Sequence, residues 1–263
     1  MKESMSSTKL ILVFLISILS FNVRADIFYG TLRGESIIEL KSPFTGVIKH
    51  NLSIDGSVHE NISPVTIKSY ELESKKEILN IKIKTLKAKI TRLANEYKGA
   101  KSSYERGFIS RSELYEKQDA INEAKIMLQE LKIERSALMY MLELGEPIIN
   151  KKYLIREYYT VNNQVVNSGD RVVSIETVDN FFIDIKYDPV SMKGRIQDKE
   201  INVKSLVTGR VGKAIVYKVS NPVDNTNTHG SKIASLLVTA DSLDLPQLLD
   251  TVFEVNVYDK NKY

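Results

Sequence analysis

Apolar residues recur every seven positions on either side of one short gap, and this pattern limits the fold more than any other feature of the chain. Leu72, Leu79, Leu86, Leu93 and Ala100 stand seven apart, and Ile83, Ile90, Tyr97 and Tyr104 fill the alternate seam position. That is the repeat of a helix with a single apolar seam. The pattern resumes with Leu114, Ile121, Leu128 and Leu142, interrupted by Arg135, and with Ala124, Leu131 and Leu138 as companions. Between the two runs lies SSYERGFISRSELYEKQ, Ser102 to Gln118. Gly107 suits the left-handed residue that ends a helix. Ser110 followed by Glu113 is a capping box for the next helix, with Ile109 and Leu114 placed as a hydrophobic staple. So short a connection makes the helices antiparallel. Residues 69–143 therefore read as one coiled-coil α-hairpin. Arms of roughly 35 residues reach about 50 Å at 1.5 Å per residue.

The arms differ in charge. The first is rich in lysine (Lys75, Lys76, Lys82, Lys84, Lys87, Lys89, Lys98, Lys101), while the second carries Glu113, Glu116, Asp119, Glu123, Glu130 and Glu134. Exposed charge is normal on coiled coils, and surface pairs are worth little each. The alternative is side-by-side packing of hairpins, basic arm against acidic arm.

On either side of the helical stretch the period changes to that of short strands and turns. The segments "IIELKSPFTGVIKHNLSIDGSVHENISPVTIKS" and "IINKKYLIREYYTVNNQVVNSGDRVVSIETV" align when shifted by about 108 residues. Val47 then falls on Ile155, Asp55 on Asn163, Val58 on Val166, Asn61 on Gly169, Val65 on Val173 and Ile67 on Ile175. Each copy is too small to bury a core alone, so the two halves are expected to form one β-sandwich with the hairpin inserted into it. From Phe181 on, "FFIDIKYDP", "EINVKSLVTGRVGKAIVYKVSNP", "SKIASLLVTAD" and "TVFEVNVYDK" alternate apolar and polar residues, as in a small antiparallel barrel. The fold class is α+β: a long antiparallel α-helical hairpin in a split β-sandwich, then a small β-barrel.

The N-terminus reads as an export signal. Lys2 and Lys9 precede the apolar run "LILVFLISILSF", and Val23 and Ala25 occupy the small-residue positions of a cleavage site, so cleavage is expected after Ala25. The run is short for an anchor, which needs roughly 20 residues; the alternative is that it is retained as one. Net charge is +4, and removing residues 1–25 leaves +2, which argues against a nucleic-acid partner. No cysteine is present, which excludes disulfides, thiolate metal sites and Cys nucleophiles. His50, His59 and His229 are too scattered for a metal-ligand spacing, and no carboxylate pair or phosphate loop stands out. No catalytic, metal or cofactor residues are expected, and the protein does not read as an enzyme.

The order of these parts resembles the periplasmic adaptor, or membrane fusion, proteins of Gram-negative export machines, the HlyD and MacA kind. "SPFTGVIKHNLSIDGSVHENISPVTI" matches the first half of a split lipoyl-like domain, "GFISRSEL" the hairpin tip, and "VVNSGDRVVSIETV" the second half. "GRVGKAIVYKVSNPVDNTNTHGSKIASLLVTA" resembles the adaptor barrel. The domains expected are signal peptide 1–25, N-terminal strand and first lipoyl-like half 26–68, α-hairpin 69–143, second lipoyl-like half 144–180 and barrel 181–263. The resemblance implies a periplasmic scaffold without attached cofactor. It would be held at the inner membrane by a transporter, with the ABC type favoured, assembled as a homo-oligomeric ring of six copies, and met at the hairpin tip by a TolC-like outer-membrane channel. Gly107, Phe108, Ile109, Ser110 and Arg111 are the candidate contact residues. Ser110 fits the Ser of the multidrug branch's Arg, Leu, Ser tip motif, but Gly99 and Ser103 stand at its other two places, which favours a polypeptide cargo. The competing expectation is a periplasmic coiled-coil binding or assembly protein with no channel partner.

Overall fold

A computed structural model describes residues 26–192, 194–222, 230–239 and 243–259. The expected signal peptide and His229 lie outside the described residues. The chain is α+β and divides into two compact units. One holds residues 37–176; the other combines the described residues up to 36 with those from 177 onward.

The second unit is a closed six-stranded barrel. Its strands are β1 (Asp26–Arg33), β8 (Phe182–Tyr187), β9 (Lys199–Ser205), β10 (Val211–Ser220), β11 (Lys232–Val238) and β12 (Val252–Asp259), in the order β1-β12-β9-β10-β11-β8. Alternation places Ile183 and Ile185, Ile201 and Val203, and Phe253, Val255 and Val257 in one apolar core. The core is not confined to residues 181–263. Strand β1 pairs antiparallel with β12 from Asp26↔Val257 to Thr31↔Val252, and with β8 at Leu32↔Ile183 and Arg33↔Phe182, so it closes the barrel. Gly30 permits that closure: a Cβ there would lie 2.5 Å from Ile183 Cγ2 and 2.6 Å from the Asp184 carbonyl oxygen. Beside it, Arg33 Nε donates to Asp184 Oδ2 at 2.6 Å and the Ser235 hydroxyl donates to Oδ1 at 2.6 Å. The segment 245–248 is a short 3₁₀ turn.

The first unit contains two three-stranded sheets. One has the order β2-β7-β5, from Ser36–Lys41, Arg171–Thr177 and Tyr153–Tyr158; the other is β4-β3-β6, from Val65–Lys68, Gly46–His50 and Val165–Val166. Ile48, Val65, Ile67, Tyr153, Ile155, Val166, Val173 and Ile175 form their shared core. The internal repeat is visible in the hydrogen bonds. Gly169 N–H donates to Ser42 O at 2.8 Å, and the repeat-related Asn61 N–H donates to Ile149 O at 2.9 Å. Asn61 and Gly169 both adopt positive φ. The halves exchange strands: β3 pairs with β6, and β5 bridges to His59. Along the first strand the repeat slips by one residue, so that buried Ile48 corresponds to buried Ile155.

Two helices leave and re-enter this unit between β4 and β5. Helix α1 is Tyr70–Glu105 and α2 is Arg111–Glu143. They run antiparallel: Lys75 Nζ lies 3.4 Å from Glu134 and Lys117 Nζ 4.0 Å from Glu96. The seam follows the heptads. Leu79, Ile83, Ile121, Ala124 and Leu138 are buried, and the other seam positions are half-buried except Tyr104 and Arg135. The chain enters and leaves at one point, because Ile67 N–H donates to Gly145 O at 2.8 Å.

Candidate functional site

The turn between the helices is held by its own backbone. Gly107 has φ +78 with open space around its Cβ direction, so its role is conformational. Gly107 N–H donates to Tyr104 O and Phe108 N–H donates to Ser103 O, both at 2.9 Å. This pair of reversed bonds satisfies the last carbonyls of α1 and stops the helix. Helix α2 then starts on a complete capping box: Glu113 N–H donates to Ser110 Oγ at 3.2 Å, and Ser110 N–H donates to Glu113 Oε2 at 3.0 Å. Both helix ends are thus fixed by residues within the turn, and the five residues expected at the site are presented on this corner.

Those five residues have different surroundings. Phe108 is 73% exposed, the largest apolar surface in the turn. Ile109 is half-buried, as is Leu114. Arg111 is exposed, yet its Nε donates to Tyr115 Oη at 2.7 Å and its guanidinium lies 5.2 Å from the centre of that ring. On the other side the Arg106 guanidinium stands 5.5 Å from the Phe108 ring centre. The corner therefore carries two cation–aromatic platforms. Arg106 and Tyr115 were not among the expected residues. The four-residue step from Arg111 to Tyr115 is the one local signal for the second platform.

The histidines take other roles. The His50 ring stacks on Tyr158 at 3.9 Å, and burial lowers its pKa. His59 pairs through its backbone with Tyr153, and its Nε2 is buried without a hydrogen-bond partner. Among the described residues, no group of three or more His, Asp or Glu is placed to hold a metal ion, and no helix is long and apolar enough to cross a membrane.

No protein-family model and no curated protein sequence matches the chain. Solved structures do. The membrane fusion protein Spr0693 from Streptococcus pneumoniae R6 superposes with TM-score 0.69 at 14% identity, over 90% of this chain and 100% of that one. MacA from Actinobacillus actinomycetemcomitans gives TM-score 0.59 at 14% identity, over 89% and 78%. ZneB from Cupriavidus metallidurans gives 0.58 at 10% identity, over 90% and 98%. At these identities the likeness is one of fold, and the fold of this chain is that of the membrane fusion proteins.

Proposed function

We propose that the protein is a periplasmic adaptor of a Gram-negative export system and has no catalytic role. In this scheme residues 1–25 are removed on export and the two exchanged β-halves are a split lipoyl-like domain. The helices form an α-hairpin inserted between those halves, and the barrel end engages an inner-membrane transporter of the ABC type. Six copies assemble as a ring. The turn at Gly107, Phe108, Ile109, Ser110 and Arg111 docks on a TolC-like outer-membrane channel. The cargo is a polypeptide.

The observation that carries this proposal is Phe108. It is a large apolar side chain, 73% exposed, at the free corner of two helices of 36 and 33 residues. Nothing in the local geometry requires it, since Gly107 and the Ser110–Glu113 box fix the turn. An apolar residue held rigidly in water is a contact in search of a partner. Arg106 and Arg111 flank it, and guanidinium groups pair readily with carboxylates or backbone carbonyls.

The test is Phe108→Asp combined with Arg111→Glu. Export and cross-linking to the channel are expected to be lost while helicity and thermal midpoint stay nearly unchanged, because neither side chain belongs to the seam. Intact export and cross-linking would make the turn a connector only and favour a coiled-coil assembly protein without a channel partner.

A further inference from the structure

Phe182 is only 5% exposed, yet it belongs to neither apolar core. Its neighbours on β8, Ile183 and Ile185, belong to the barrel core, so alternation sets Phe182 on the outer face. Two surface side chains lie against it there. The Tyr217 ring centre is 5.1 Å away at an interplanar angle of 56°, and the Arg33 guanidinium stands 5.2 Å from the Phe182 ring centre. A β-bulge places Tyr217. Val216 pairs with Leu236 and Lys218 with Ser235, so Tyr217 is the extra residue of β10. Val216 and Val219 pack on the barrel core, and the bulge therefore turns two consecutive residues, Tyr217 and Lys218, to the outside.

Arg33, Glu35, Phe182, Tyr217, Lys218 and Ser220 line a cleft of about 400 Å³ on this side of the barrel, near the lower end of the range for small-molecule sites. Its floor is already organised. Arg33 Nε and Nη2 donate to the two carboxylate oxygens of Asp184 at 2.6 and 3.1 Å, and Nη1 donates to Gly34 O at 3.1 Å. The Ser235 hydroxyl holds Asp184 from the other side. Charge selects no ion here, because Arg33 and Lys218 are balanced by Glu35 and Asp184. A wholly apolar ligand is a poor fit too, since it would strip water from these groups and from Ser220 without replacing the hydrogen bonds. Tyr217 is 67% exposed, so most of its ring stays open to a ligand.

We propose that this cleft binds a neutral saccharide, with one pyranose ring stacked on Tyr217. The C–H face of a pyranose is apolar and slightly positive, which suits the negative face of an aromatic ring. Its hydroxyls both donate and accept, so a single ligand pairs with the Lys218 ammonium, the Ser220 hydroxyl and the Glu35 carboxylate, which no simple anion or cation does. The bulge is what makes the site: without the extra residue, strict alternation would not bring Tyr217 and Lys218 to the same face. The assignment goes beyond the adaptor reading and does not rest on it, because every lining residue belongs to the barrel unit.

The test uses the full-length protein with maltose, lactose or N,N′-diacetylchitobiose at millimolar concentration, and follows saturation transfer from protein to sugar by nuclear magnetic resonance. Transfer to the C–H protons of one ring is expected for at least one of the three. Tyr217→Ala lowers the affinity about tenfold, the size of one lost aromatic contact. Tyr217→Phe keeps the ring and leaves the affinity nearly unchanged. The thermal midpoint holds in both variants because Tyr217 is exposed. Lys218→Ala with Ser220→Ala weakens binding without changing which protons are saturated. Benzoate and benzylammonium, as charged aromatic probes, bind more weakly than the sugar. Phosphatidylcholine vesicles bearing lactosylceramide separate two sources of such a ring: co-sedimentation that is lost with Tyr217→Ala assigns a lipid-borne sugar, and bound disaccharide without co-sedimentation assigns a free one. No transfer to any of the three sugars would overturn the proposal, as would binding that survives Tyr217→Ala or tighter binding of either charged probe. Phe108→Asp with Arg111→Glu leaves sugar binding in place, so failure of channel docking counts against the tip and not against this cleft.

Discussion

Excising both helices tests whether they are an insertion or part of the core. In the variant, Glu71 to Leu142 is replaced by a short turn. The ends already meet, since Ile67 N–H donates to Gly145 O at 2.8 Å, so the join needs no rearrangement of the strands. The sandwich core loses Leu72 and Leu142, which pack against it while only partly buried. Full burial of a leucine side chain contributes about 1.5–3 kcal/mol, so two half-buried ones together amount to about the same. Gly145 and Phe44 stay close together, because both lie outside the excised segment. A small domain has roughly 5–15 kcal/mol to lose. The variant is therefore expected to fold, with the midpoint of this unit lowered by about 10–20 °C. Far-ultraviolet circular dichroism should show the helical signal gone and a cooperative β transition kept, and export should cease. A variant with no thermal transition would refute the argument, because the helices would then be holding the sandwich together.

Three further outcomes follow from the geometry. Ser110→Ala removes one side of the capping box and should destabilise the start of α2 by about 1 kcal/mol, read as faster amide exchange over its first turn. Burial raises the Asp184 pKa, but its hydrogen bonds with Arg33 and Ser235 outweigh this and leave it below the ordinary 3.8. Its contribution to barrel stability is therefore present above the unfolded value and lost as pH falls through the folded one, and Asp184→Asn should flatten that acid limb in pH-dependent unfolding. Tyr153 has its pKa pushed up to about 12 by burial. The stability it contributes is full below its unfolded value near 10 and lost as pH rises to about 12, and Tyr153→Phe should reduce that alkaline loss.

The helices were legible because their information is local. Leu79, Ile83, Ile121 and Leu138 announce burial by spacing alone, and Ser110 with Glu113 announces the cap. Tyr104 departs from the pattern because α1 ends one residue later, where the chain swings into the left-handed Gly107 and half-buried Ser103 takes the inner side. The 108-residue repeat was legible at Asn61 and Gly169, which share a backbone conformation, and less so at the first strand, where the register slips by one. The place of β1 was not legible. "DIFYGTLR" alternates as a strand should, but nothing in it names β12 as its partner across most of the chain; pairing depends on complementarity of whole edges. Arg106 and Tyr115 escaped notice for another reason: cation–aromatic stacking at a turn depends on side-chain direction, which periodicity does not encode.

The exchange of strands between the two β-halves bears on the order of folding. Strand β3 finds β6, and β5 finds the segment at His59, only after the chain has travelled out and back through α1 and α2. Were that excursion a random coil, its ends would have to meet by slow diffusion of a long loop. Helices form within about a microsecond, and two helices that zip along a shared seam deliver Ile67 and Gly145 to each other as if joined by a tight turn. The long arms thus act during folding as a closure device for the sandwich at their root, so mutations that weaken the seam near Leu79 and Leu138 should slow the appearance of β structure before they change anything at the distant turn.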